Sequence, residues 1–103
     1  MPTEPTSVRF ANVVRSLTAA ARAEGLHPPS FRSPPGVDAV RSVRRRRDGT
    51  ALVSIAVKDR PWAAVLADMV EGVVVANRLR GPAAERARAV LWRAVGDAAH
   101  VAA

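Results

Sequence analysis

Between Trp62 and Val74 the residues Trp62, Val65, Leu66, Met69, Val70, Val73 and Val74 recur at the i, i+3, i+4, i+7 spacing of one helical face, without a break. Pro61 suits an opening helical turn, and the pattern predicts a helix from Pro61 to about Leu79. A chain of 103 residues has material for one modest core in one domain. This helix is therefore expected at its centre, with Asp68 and Glu71 on its opposite side.

Two further helices are predicted around it. Phe10, Val13, Val14, Leu17 and Ala21 share one face of a helix over about 7–24, capped by Thr6 or Ser7. Gly25 suits the left-handed stop position, with Leu26 folding back onto the last turn. Arg80-Gly81-Pro82 breaks the chain, and Pro82 opens a third helix. Its Ala84, Ala87, Val90, Leu91, Ala94 and Val95 face inward, while Arg86, Arg88 and Arg93 face largely outward. The chain is expected to fray after Gly96. Residues 1–6 and 97–103 read as tails on a single domain at 7–96.

The strands lie in Val40–Trp62, VRSVRRRRDGTALVSIAVKDRPW. Asp48-Gly49 between two strand-like runs is a hairpin signal. Ala51, Val53, Ile55 and Val57 alternate with Leu52, Ser54, Ala56 and Lys58, which gives the second strand one apolar face. A two-residue loop would set Arg44 against Val53. A three-residue loop at Arg47-Asp48-Gly49 sets Val43 there instead. Burying an unpaired arginine is costly, so the three-residue loop is expected. Arg46 and Arg47 then extend at the tip, and Arg44 and Arg45 point to opposite faces. Residues 27–36, HPPSFRSPPG, read as an extended, polyproline-like connection anchored on the core by Phe31.

The predicted fold is α+β in the order α-β-β-α-α, a β-hairpin packed against three helices. Two strands alone make a marginal sheet. The arginines of the first strand discourage edge pairing, so a homodimer is expected through the edge of strand 50–58.

Cysteine is absent from the sequence, which excludes disulfides, thiol catalysis and cysteine-ligated zinc and fits a cytoplasmic location. The apolar runs are too short to span a membrane. His27 and His100 have no partner at metal-ligand or triad spacing, so no metal and no cofactor is expected. Asp68 and Glu71 are the one carboxylate pair on a single helical turn. In so basic a chain they read as counter-ions for Arg78 or the hairpin arginines rather than as an acid–base pair. Trp62 heads the apolar stripe and belongs to the core. Trp92 is the surface tryptophan, with Arg88 four residues earlier placed to lie over its ring.

Sixteen basic residues, fifteen of them arginine, oppose nine acids and leave a net charge of +7. That excess favours an anionic partner. The expectation is a non-enzymatic binding module that contacts nucleic-acid phosphates through Arg44, Arg45, Arg46 and Arg47, with Arg41, Arg86, Arg88 and Arg93 secondary. The alternative is a protein-interaction domain, either a homodimer or a module that meets an acidic protein. A single basic face favours nucleic acid; scattered arginines with an exposed apolar patch favour a protein.

Overall fold

The computed structural model describes residues 6–34 and 40–101, with side chains described over 7–34 and 40–96. Of the tail expected at 1–6, Thr6 instead opens the first helix; residues 1–5, the cap by the Thr6 side chain, residues 35–36 of the expected connection and residues 102–103 lie outside those described. The element order is α1 (Thr6–Ala23), β1 (Ser30–Arg32), β2 (Arg41–Arg45), β3 (Ala51–Ile55), α2 (Trp62–Ala76) and α3 (Gly81–Val101).

The α+β class holds, but the order is α-β-β-β-α-α and the sheet has three strands, arranged β1-β3-β2. The additional strand is β1, inside the segment expected to be a proline-rich connection. Its three residues pair parallel with β3, Phe31 opposite Val53. Proline confines a strand to an edge or to a short run, and β1 is both. Phe31 packs on the core, as its place between the proline pairs suggested.

β2 and β3 form the predicted hairpin in the predicted register, with Val43 opposite Val53 and Arg44 opposite Leu52. The Gly49 amide donates to the Arg46 carbonyl at 3.1 Å, and the Arg46 amide donates to the Thr50 carbonyl at 2.7 Å. With Gly49 at φ 89°, this is a three-residue loop closed by a glycine bulge. β3 is hydrogen-bonded on both sides, so the edge of strand 50–58 expected to pair with a second protomer is taken by β1 of the same chain.

α2 lies against β2 and β3, and α1 and α3 pack on each other and on α2. This double demand explains why α2 is apolar almost all round. Val65, Leu66, Met69, Val70, Gly72, Val73, Val74 and Ala76 are all buried. Gly72 packs tightly on the sheet: a Cβ there would stand 2.6 Å from Val53 Cγ1. The faces expected on α1 and α3 meet this core through Phe10, Val13, Leu17, Ala21, Ala84, Ala87, Leu91 and Val95. α3 does not end at Gly96 but continues to Val101. α2 stops at Ala76 rather than near Leu79.

Candidate nucleic-acid interface

The pleat of the sheet sorts the arginines. Arg41, Val43 and Arg45 of β2 share a face with Ala51, Val53 and Ile55 of β3 and with Phe31, and that face meets α2. Ser42 and Arg44 share the opposite face with Leu52, Ser54, Ser30 and Arg32. Adjacent arginines therefore have different environments.

On the helix side the guanidiniums are engaged. Asp68 of α2 accepts from Arg41 Nη1 at 3.2 Å with one carboxylate oxygen and from Arg60 with the other. Arg60 also donates to the Ala56 carbonyl at 2.6 Å, joining the exit of β3 to α2. Arg45 donates to the Gly49 carbonyl at 2.9 Å and to the Ala76 carbonyl at 2.7 Å, so its charge rests on the carbonyl end of α2. Arg88 of α3 makes a two-bonded pair with Glu71, at 2.8 and 2.9 Å. Those bonds hold the Glu71 carboxyl below its ordinary range, against the opposing effect of burial, and the charge of Arg41 adds to them.

Asp68 and Glu71 thus serve as counter-ions, Asp68 to a hairpin arginine as expected. Arg78 takes no part, and Glu71 takes Arg88. The ring contact expected between Arg88 and Trp92 is absent, because Glu71 holds the guanidinium. The cation–π contact is instead Arg9 over Trp62, at 4.7 Å. Trp62 is half-buried and packs on the core, and Trp92 is exposed.

On the open side lie Arg32 and Arg44, with Arg46 and Arg47 at the tip, all exposed. Arg32 donates through Nε to Ser54 Oγ at 2.8 Å, which steers its guanidinium across the sheet. By sheet geometry, the Arg32 and Arg44 backbones stand two strand spacings and two residues apart, about 12 Å. No carboxylate occurs in β1, β2 or β3. Asp48 at the tip is occupied by the Thr50 hydroxyl at 2.6 Å and the Thr50 amide at 3.0 Å. These bonds, with smaller help from Arg46, lower its pKa.

The eight arginines selected from sequence therefore divide. Arg44 lies on the open face, and Arg46 and Arg47 are exposed at the tip beyond it. Arg41, Arg45 and Arg88 are tied to internal acceptors. Arg86 and Arg93 are exposed on α3, which packs on α1 and α2 away from the open face. Arg32 was missed; its signal was the Ser30-Phe31-Arg32 alternation around an apolar anchor, hidden by flanking prolines.

A groove of about 580 Å³ runs beside the tip, between the hairpin loop, the end of α2 and His27-Pro28. Comparison with protein-family models, with curated proteins and with solved structures gives no match to this chain.

Proposed function

We propose that this protein is a non-enzymatic, cytoplasmic binding module that holds the phosphates of a nucleic-acid backbone on its open sheet face and hairpin tip. The observation that carries the reading is the group Arg32, Arg44, Arg46 and Arg47, two on the open face and two exposed at the adjoining hairpin tip, next to three strands that contain no carboxylate. Several guanidiniums at separate points of a rigid surface are what a repeating anion requires. Phe31 packs on the core, Phe10 is in the core, Trp62 is half-buried and Trp92 is on α3, so no Phe or Trp ring stands on the open face for bases to stack on. That favours backbone contact without base readout. The one carboxylate pair suited by spacing to acid–base work is occupied by Arg41, Arg60 and Arg88, which supports a binding role over a catalytic one.

Titration of duplex DNA and RNA at several salt concentrations tests the proposal. Four neutralised phosphates give a log–log salt slope of about −3.6. Replacing Arg46 and Arg47 together with alanine is expected to flatten it by about two units on unrelated sequences alike. Arg86→Ala with Arg93→Ala is expected to leave it unchanged. Wild-type protein that binds neither nucleic acid at low salt overturns the reading, and an acidic protein partner then takes its place.

A further inference from the structure

α1 and α2 end in the same hydrogen-bonded motif. At α1, Gly25 N donates to the Arg22 carbonyl and Leu26 N to the Ala21 carbonyl, at 3.0 and 2.8 Å. At α2, Arg78 N donates to the Val75 carbonyl and Leu79 N to the Val74 carbonyl, at 3.0 and 3.1 Å. The motif needs a left-handed residue at its turn, and glycine meets that need without strain. α1 supplies Gly25 at φ 75°; α2 supplies Arg78 at φ 54°. A β-carbon in that conformation is crowded against its own carbonyl. Nothing internal offsets this strain, for the Arg78 side chain is exposed and has no hydrogen-bond or ion-pair partner among the described residues.

Arg78 does have a place in the groove beside the hairpin tip, with Arg45, Asp48, Thr50, Asn77 and His27. The wall is rigid: the Asn77 side chain accepts from His27 N at 2.8 Å and donates to the His27 carbonyl at 3.0 Å. Arg45 in this groove is already committed to the Ala76 carbonyl at the end of α2. The carboxylate of Asp48 is turned to Thr50. The uncommitted charge in the groove is Arg78, next to the loop that carries Arg46 and Arg47.

We propose that Arg78 and this groove hold a further phosphate of the same backbone, so that the bound strand passes from the open face, over the tip, onto the end of α2. The inference rests on the nucleic-acid reading above. Its test uses Arg78→Gly and Arg78→Lys in the full chain, with duplex DNA as the probe. Arg78→Gly relieves the strain and is expected to raise the melting temperature by about 4–8 °C, the shift that goes with roughly one kcal/mol in a domain of this size. It is also expected to weaken binding at low salt and flatten the salt slope by about one unit. Arg78→Lys keeps the charge and the strain, so both the slope and the melting temperature stay near wild type. A purely structural residue would change stability alone. If the wild type binds DNA and Arg78→Gly leaves the slope unchanged, the groove takes no phosphate. A melting temperature that does not rise removes the strain argument and the inference with it. Wild-type protein that binds no DNA overturns the underlying reading instead.

Discussion

The two faces of β2 carry the same side chain and put it to opposite uses. On the helix side, Arg41 is held by Asp68 and Arg45 by the carbonyls of Gly49 and Ala76. On the open side, Arg44 is exposed on a face without carboxylates, one peptide bond from Arg45. The register decides which is which, and a slip of one residue would exchange every role. A run of four arginines is therefore not four available charges. Part of it is structural, and only the pleat shows which part.

The largest effect expected on the helix side comes from Asp68. Its two carboxylate oxygens receive Arg41 from β2 and Arg60 from the turn before α2. Asp68→Ala leaves two half-buried guanidiniums short of an acceptor and is expected to cost about 1–3 kcal/mol in a denaturant melt. The freed arginines remain on the helix side, so the salt slope on DNA should not steepen. A loss of stability under about half a kcal/mol would place Arg41 and Arg60 with the solvated arginines, and the two faces would cease to differ.

The sharpest comparison uses neighbours. Arg45→Ala removes two charge-assisted hydrogen bonds, one of them to the last carbonyl of α2. It is expected to cost about 1 kcal/mol while changing the salt slope by less than about half a unit. Arg44→Ala removes neither bond. It is expected to cost under about half a kcal/mol and to flatten the slope by about one unit. Melts and titrations on the two variants give opposite patterns if the faces differ as described, and equal patterns if the run is one undivided charge.

This division was legible in part. The cost of burying Arg44 selected the three-residue loop, and with it the register and the facing of Arg44 and Arg45. The apolar stripe placed α2 at the centre because its period is local and strong. β1 was not legible. Three residues flanked by prolines carry little periodic signal, and parallel pairing with β3 is a long-range choice. The partners of Asp68 and Glu71 were open for the same reason: local spacing offers several arginines, and packing selects Arg41, Arg60 and Arg88 over Arg78. The end of α2 was misplaced because the expected stop signals, Gly81 and Pro82, stand beyond a turn that Arg78 makes instead.

The smallest effect concerns Arg88, which sequence placed among the outward arginines and Glu71 draws inward. Arg88 holds the folded-state pKa of Glu71 below its ordinary value of 4.5. A carboxyl lowered in this way contributes stability that is fully present above its unfolded value and is lost as pH falls through the folded one. Glu71→Gln should therefore be less stable than wild type at neutral pH, and the gap should close as the pH drops below 4.5. The pair is partly solvated, so the gap at neutral pH should be about 0.2–1 kcal/mol, and smaller in high salt. Denaturant melts of both proteins from neutral pH down to acid measure it. A gap that persists unchanged through the acid range would mean that Glu71 acts by shape and packing rather than by charge. Arg88 would then belong with Arg86 and Arg93 as a solvated arginine of α3.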